Sequence, residues 1–162
     1  MRRKDREITS LPEIREIVNS ATECHLALND DGTPYGITLN YGFEEENGIF
    51  TLYFHGAGEG RKAEVIRRNP DAYFFMESGC RFHEAKTPDG QVYMTMFYSS
   101  AAGAGRIYEI ADLEEKRHAL ACLTSRFSPT PVSVFPEAVI RKTTIWKMTI
   151  PHMTAKQNAP RK

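Results

Sequence analysis

The chain has 162 residues and three cysteines at scattered positions, which predicts a single domain with a substantial core and a reduced cytoplasmic protein without a disulfide framework. Its 21 lysine and arginine residues balance its 21 aspartate and glutamate residues, so no overall charge attracts nucleic acid or an acidic membrane surface. No apolar run approaches the roughly 20 residues of a membrane span, and the charged start of the chain, with no apolar segment behind it, is not a secretory signal.

A capping box predicts the first helix. The Ser10 side chain can accept a hydrogen bond from the first turn while Glu13 reaches back to it, and apolar residues then recur at helical spacing until about Asn19. A short alternating strand at 24–28 is followed by the turn sequence at 29–32. Together they predict a β-hairpin.

The strand predicted at Tyr35–Phe43 has two unlike faces. Side chains alternate across a strand, so its odd positions form an apolar and aromatic core face, whereas its even positions are small or polar. A flat heteroaromatic ligand could lie on the polar face and receive hydrogen bonds from Thr38 and Asn40; an exposed strand face is the alternative. Gly36 and Gly42 thin this face more than exposure requires, which favours the ligand.

The most informative segment follows the next strand, 49–54. That strand ends at His55 and runs into a loop with glycines at 56, 58 and 60, after which Arg61 and Lys62 open a predicted helix. Glycines let backbone N–H groups approach an anion, and a helix start adds a positive dipole end. The loop therefore predicts a phosphate or carboxylate site without the Walker A spacing; a solvated turn is the alternative.

His55 lies where the reactive end of a bound ligand could reach it. A histidine there can donate a hydrogen bond, transfer a proton or ligate haem iron, and a satisfied, partly buried histidine is the alternative. Cys80 and His83 have the spacing of half a zinc site, but no second half-site follows. The sequence therefore predicts no metal site.

The remaining pattern is mainly β. The second helix must end before Pro70, a capping box at Asp112 and Glu115 opens a third, and the tail after Met153 is predicted to be loosely ordered. Strands are predicted at 72–77, 91–101, 105–110 and 139–150, with a proline-rich loop at 128–136. Six or seven strands joined mostly by hairpins, with two or three helices, predict a closed antiparallel barrel.

The order of several segments resembles the pyridoxamine 5′-phosphate oxidase-like FMN-binding split-barrel proteins, and within them the nitroimidazole-resistance branch. These segments are MRRKDREI, CHLAL, PYGITLNYGF, YFHGAGEGRK, YSSAAGAGR and FPEAVIRKTTIWKM. The resemblance implies a mainly β (α+β) fold, a six- to seven-stranded antiparallel split β-barrel with flanking helices. It implies one domain at 1–156 with a flexible tail at 157–162, and a homodimer with FMN at the subunit interface.

The resemblance also implies roles for individual residues. Arg61 and Lys62 would bind the FMN phosphate with the Gly58 to Gly60 backbone, and Ser100 would touch the phosphate or the ribityl chain. The isoalloxazine edge would meet Thr38 and Asn40, with Leu39 and Tyr41 packed beneath and His55 on the substrate side. The chain departs from the family pattern at Phe97, Ser99 and Ala101.

The function implied is an FMN-dependent oxidoreductase that transfers two electrons to a small organic acceptor, as a nitroimidazole reductase does. His55 is the candidate proton source, and a nicotinamide cofactor is the expected electron donor. Alternatives are a haem-binding protein with His55 or His25 as iron ligand, a non-catalytic flavin carrier, and a deazaflavin in place of FMN. No nucleic-acid or membrane partner is expected.

Overall fold

The computed structural model describes residues 2–128, 130, 132 and 134–159. Within them a 3-10 turn at Lys4–Arg6 precedes eight β-strands and four α-helices. The helices are α1 (Leu11–Ser20), α2 (Arg61–Arg68), α3 (Leu113–Phe127) and α4 (Glu137–Lys142). The strands are β1 (Glu7–Ile8), β2 (Cys24–Asp30), β3 (Thr33–Leu39), β4 (Gly42–Glu46), β5 (Ile49–Gly56), β6 (Asp71–Lys86), β7 (Val92–Glu109) and β8 (Thr144–Asn158).

The strands form one antiparallel sheet in the order β3-β2-β6-β7-β8-β5-β4, and β1 pairs with β8. In the described part of the chain no ladder joins β3 to β4, so the sheet is open between two strands that follow each other in sequence. This confirms an antiparallel split barrel with flanking helices. The prediction of a closed barrel with six or seven strands is wrong.

The single strand predicted at 35–43 is two strands, because the chain leaves the β3 ladder at Asn40 and joins β5 from Gly42. Tyr41 fixes this break. Its buried hydroxyl lies 3.1 Å from the Ala21 carbonyl oxygen, and the Arg126 guanidinium lies 4.0 Å from its ring centroid. Burial raises the pKa of Tyr41 to about 12, which matches its place in the core.

Two tight turns bear out the hairpin chemistry of the sequence. Asp31 and Gly32 have φ values of 51° and 87° between β2 and β3. Asn47 and Gly48 have φ values of 53° and 84° between β4 and β5. Two successive positive φ angles are typical of the type I′ turn, whose twist matches that of the paired strands.

The core has two parts. The larger fills the barrel, and its most deeply buried side chains include Leu26, Phe50, Phe54, Phe74, Trp146 and Met148. The smaller lies beneath α3 and contains Tyr53, Ile110, Ala119, Leu120, Leu123, Ile140 and Ile145. Of the helices that the structure describes, none has the length and apolar character of a membrane span.

The third and first helices differ at their caps. The Asp112 side chain accepts a hydrogen bond from the Glu115 backbone N–H at 2.8 Å, as predicted for α3. Ser10 precedes α1, but its side chain makes no capping hydrogen bond. The α1 helix instead depends on its apolar face, where Ile17 and Val18 are buried.

The largest corrections concern the second half of the chain. Residues 139–142, predicted as strand, belong to α4, whose first turn carries Glu137 and whose last turn carries Arg141 in an i,i+4 ion pair. The β6 strand extends far beyond its predicted end at 77, and the strands predicted at 91–101 and 105–110 are the single strand β7, which pairs with β6 as a hairpin arm. The tail prediction is wrong for 154–158, which continue β8 against β7, including Gln157 and Asn158 of the predicted flexible tail. Part of the predicted loop at 128–136 and residues 160–162 lie outside the described residues.

Candidate functional site

We define the glycine loop as residues 56–60. Lys62, two residues after the loop, places its ammonium group against Gly56. Its Nζ lies 4.6 Å from the Trp146 ring centroid, and a Cβ at Gly56 would overlap that Nζ. Burial lowers the pKa of the Lys62 ammonium. Within the described residues no carboxylate lies within 4.0 Å of it, so Lys62 is a half-buried cation that has no anionic partner.

The backbone beside Lys62 is open on the same side of the loop. Gly60 precedes α2 with φ of 90°, and no side chain caps the first turn of that helix. A helix start leaves its first N–H groups without intrahelical partners. A Cβ at Gly58 would overlap the Thr144 hydroxyl oxygen, so the loop lies directly on the start of β8. Thr144 therefore adds a hydroxyl that the sequence alone did not identify.

Arg61 has a different environment from Lys62. Its Nη2 lies 2.9 Å from Asp30 Oδ2, and its guanidinium lies 4.4 Å from the Tyr35 ring centroid. Arg68 pairs with the other oxygen of Asp30. Of the two cations predicted to act together, Arg61 is thus paired with a carboxylate and Lys62 has no such partner among the residues that the structure describes.

The even positions of β3 are exposed, which leaves this face open to a ligand. Thr38 Oγ1 lies 3.1 Å from His25 Nδ1 on β2. The His25 ring stacks on Phe75, with 4.7 Å between centroids and 20° between planes, and its Nε2 lies 3.5 Å from Glu77 Oε1. We call the exposed side of β3, β2, β6 and β7 around these residues the outer sheet face.

On the outer sheet face, small residues of β7 lie opposite aromatic residues of β6. Tyr73 and Phe75 are 48% and 45% exposed, and their register partners on β7 are Ala104 and Ala102. The intervening Gly103 points inward, where a Cβ would lie 2.8 Å from the His152 carbonyl oxygen. The small-residue run of β7 therefore has two causes: tight packing inside and an uncluttered surface outside.

Asn40 and His55 line one cavity of about 520 Å³. Both are exposed, and Asn40 Nδ2 donates to the Thr22 carbonyl oxygen at 3.4 Å. The other walls come from α3 and the segment after it, and they are mostly apolar: Leu120, Leu123, Thr124, Phe127, Ser128 and Val132. Leu120 and Leu123 also belong to the smaller core, and helical periodicity alone does not distinguish a core face from a cavity wall.

Three predicted site residues lie elsewhere. Leu39 and Tyr41 pack into the core, so only their backbone could meet a ligand on the outer sheet face. Ser100 lies on β7, five positions from Gly105. Gly105 is aligned across the sheet with Tyr35 of β3, the residue whose ring Arg61 contacts. At about 3.3 Å per residue, Ser100 is some 17 Å along the strand from the row that Arg61 covers. Within one chain Ser100 does not join the glycine loop.

Comparisons with known proteins agree with this architecture. The family model described as pyridoxamine 5′-phosphate oxidase matches residues 10–157. A comparison with curated protein sequences finds no match.

Among solved structures, the chain is 27% identical to a candidate 5-nitroimidazole antibiotic resistance protein from Bacteroides thetaiotaomicron, with a TM-score of 0.78 over 93% of this chain and 86% of that one. The FAD and heme binding protein from Mycobacterium smegmatis is 19% identical, with a TM-score of 0.79 over 94% of this chain and 73% of that one. A FAD-binding protein from Mesorhizobium loti is 19% identical, with a TM-score of 0.64 over 95% and 98%. The last two similarities show a shared fold.

Proposed function

This chain is a member of the pyridoxamine 5′-phosphate oxidase family, and on that premise we propose that it is an FMN-dependent oxidoreductase acting on a small organic acceptor. The proposed cofactor site runs from the glycine loop along the outer sheet face. The proposed acceptor site is the cavity that Asn40 and His55 line.

The observation that carries this proposal is the half-buried Lys62 ammonium, which has no carboxylate partner within the described part of the chain. A half-buried cation without a carboxylate partner has lost part of its hydration, so an anion that reaches it gains a charge-assisted hydrogen bond. The uncapped start of α2 and the Thr144 hydroxyl add donors at the same place. A flavin phosphate fits this donor set.

The outer sheet face fits the flat part of a flavin. Thr38 offers a hydroxyl at its rim, and the stacked His25 and Phe75 rings offer an aromatic surface beside it. A bound flavin supplies two-electron transfer, and the chain's own residues hold it and exclude water. His55 holds a proton at its imidazole beside the acceptor cavity, and Asn40 can orient a polar group of the acceptor.

The cavity favours a small, mostly apolar acceptor with one or two polar groups. Four of its eight lining residues are leucine, phenylalanine or valine, and the other four offer amide, imidazole and hydroxyl groups. A nitroimidazole has this character, and the similarity to the Bacteroides protein at 27% identity supports the same class. A nicotinamide cofactor is the proposed electron donor.

We also propose that the protein acts as a homodimer. Tyr73 and Phe75 expose large apolar surface at the centre of the outer sheet face, and such patches mark interaction sites. A second copy packed there would cover the flavin and could bring its Ser100 to it. The three cysteines are free thiols, which supports the proposed cytoplasmic location.

The first experiment is the absorbance spectrum of the purified protein, followed by identification of the released small molecule. We expect a flavin spectrum and free FMN, with reduction by a nicotinamide donor under anaerobic conditions. A His55→Ala protein should retain FMN and lose turnover of a nitroimidazole. Retained FMN that no nicotinamide donor reduces would instead indicate a flavin carrier. A released deazaflavin would show that the cofactor is a deazaflavin and not FMN.

Haem binding is the second candidate, and it rests on His55 beside an apolar cavity of about 520 Å³. Histidine is a common axial ligand of haem iron. A Soret band in the purified protein that His55→Ala removes would favour this reading over the flavin, and His25→Ala tests the other candidate ligand.

A further inference from the structure

A second polar cluster lies apart from the glycine loop, where β4 meets α3. His118 Nε2 lies 2.6 Å from Glu44 Oε2 and 3.6 Å from Cys122 Sγ. All three donor atoms lie within 4.8 Å of one another. We propose that Glu44, His118 and Cys122 form a binding site for a divalent cation of the zinc class.

The donor set suits zinc in kind and in charge. A carboxylate and a thiolate would together balance the two positive charges of the ion, and an imidazole completes the mixed oxygen, nitrogen and sulfur set that Zn²⁺ accepts. Bonds of about 2.3 Å to sulfur and 2.0–2.1 Å to nitrogen at a tetrahedral angle place those atoms about 3.6 Å apart. The separation of Cys122 Sγ from His118 Nε2 is 3.6 Å, while the Glu44 oxygen would move outward by about 0.7 Å on the same geometry.

Glu44 and Cys122 both lie against the same nitrogen of His118. This distinguishes the cluster from a cysteine–histidine–carboxylate catalytic relay. In a relay, the two ring nitrogens of the histidine face the nucleophile and the orienting carboxylate separately. Here the same atom, His118 Nε2, faces both Glu44 and Cys122.

The backbone holds the three ligands in place. His118 and Cys122 lie one turn apart on α3, so both side chains point to the same side of the helix. A Cβ at Gly42 would lie 2.6 Å from the Cys122 carbonyl carbon and 2.5 Å from the Leu123 nitrogen, so β4 and α3 touch backbone to backbone. Glu44 follows Gly42 by two positions and therefore reaches the cluster on the same face of β4.

Tyr53 orients Glu44 and His118, which lie 74 positions apart in the sequence. Its hydroxyl donates to Glu44 Oε1, and its ring meets the His118 ring edge-on at 5.9 Å. Such partners of metal ligands fix the ligand geometry. The Lys147 ammonium acts on Glu44 from nearby, but it pairs with Glu115, so its repulsion of a cation is reduced.

The site is open to solvent on one side. The side chains of His118 and Glu44 are 54% and 42% exposed, so an ion can enter, and water can complete a four-coordinate shell. Sequence spacing gave no sign of this site, because Glu44 and His118 are 74 positions apart. The inference stands independently of the proposed flavin site.

The test uses Co²⁺ as a spectroscopic probe for zinc, added to the purified full-length protein and read as a difference spectrum. We expect a sulfur-to-cobalt charge-transfer band that saturates at one Co²⁺ per chain and disappears when Zn²⁺ is added. Cys122→Ser should abolish the band, and Cys80→Ser, which removes an exposed thiol, should leave it unchanged. His118→Gln should weaken Co²⁺ binding at least ten-fold.

His118→Gln keeps the proposal testable even if Cys122→Ser fails to fold. The His118 side chain is half exposed, so its replacement leaves the core intact. The absence of a charge-transfer band in the wild-type protein would overturn the proposal. So would a band that survives Cys122→Ser, or one that Cys80→Ser removes. Lys62→Met should leave the band unchanged, which separates this site from the flavin.

Discussion

The glycine loop and the β2–β3 hairpin lie on either side of the start of α2, and each receives one cation from it. In the glycine loop, Lys62 lies over Trp146 without an anionic partner among the described residues. At the hairpin, Arg61 pairs with Asp30, which also pairs with Arg68. Two cations adjacent in sequence therefore differ in availability, because one serves the fold and the other is free for a ligand.

This difference changes how the RK pair of the sequence is interpreted. Formal charge counts both side chains equally, but a ligand phosphate gains most from the cation that is desolvated and unpaired. Arg61 gives the hairpin an exposed ion pair, whose contribution to stability is small. The comparison predicts unequal effects for matched substitutions at the two positions.

The largest effect is expected for Lys62→Met, which removes the ammonium and keeps an unbranched stem over Trp146. A hydrogen bond to a charged group is worth about 1.5–3 kcal/mol, so the FMN dissociation constant should rise roughly 10- to 100-fold. It can be measured by flavin fluorescence quenching with apoprotein. A change below two-fold would remove Lys62 from the site.

The same variant tests the pH dependence. Burial lowers the pKa of Lys62 below its ordinary value of 10.5, so the free protein loses this positive charge at a lower pH than an exposed lysine would. FMN affinity of the wild-type protein should therefore fall as pH rises toward 10.5. Lys62→Met should lack this component of the pH profile.

An intermediate effect is expected for Gly58→Ala, which tests the shape of the loop rather than its charge. The new Cβ would overlap the Thr144 hydroxyl, and overpacking of this kind costs about 1–3 kcal/mol. Because the displaced loop would hold its N–H groups less favourably for the phosphate, FMN affinity should also fall, by up to about ten-fold, which corresponds to about 1.4 kcal/mol of binding free energy. The Gly58→Ala/Thr144→Ala double variant should recover part of the lost unfolding free energy, and strict additivity would show that the two residues do not touch.

A small effect is expected for Arg61→Met, the matched control for Lys62→Met. Loss of an exposed ion pair changes stability by at most about 1 kcal/mol, and the FMN dissociation constant should change less than about five-fold. Chemical denaturation and the same fluorescence titration measure the two quantities. A loss of affinity as large as that of Lys62→Met would show that Arg61 leaves Asp30 to bind the phosphate.

The parts of the site that the sequence predicted are those set by neighbouring residues. The glycine loop, the start of α2 and the turn at Asp31 and Gly32 depend on local backbone chemistry, and the structure has all three. The exposed small face of β3 followed from alternation. The family resemblance supplied the flavin hypothesis, and the split barrel agrees with it.

The parts that the sequence did not predict depend on contacts between distant segments. The break after Leu39 arises because Tyr41 is drawn into the core beside α1 and Arg126. The pairing of Arg61 with Asp30 joins residues 31 positions apart. Val139 and Ile140 have β-branched side chains that favour a strand, but they lie in α4 because Ile140 packs beneath α3.

Asp30→Asn gives the smallest expected effect and the sharpest test of the comparison, because its sign is opposite to that of the other variants. Removing the carboxylate charge releases Arg61 from its ion pair, whereas Arg68 keeps its pair with Asp31 and Lys62 is unchanged. The Arg61 guanidinium, no longer paired, attracts a phosphate bound at the glycine loop, so FMN affinity should rise by about two-fold at low salt. The increase should be smaller at high salt, because salt screens exposed charges. An Asp30→Asn/Arg61→Met double variant should lose this gain. If affinity falls instead, Asp30 acts by holding the start of α2 in place, and the hairpin and the glycine loop form one site.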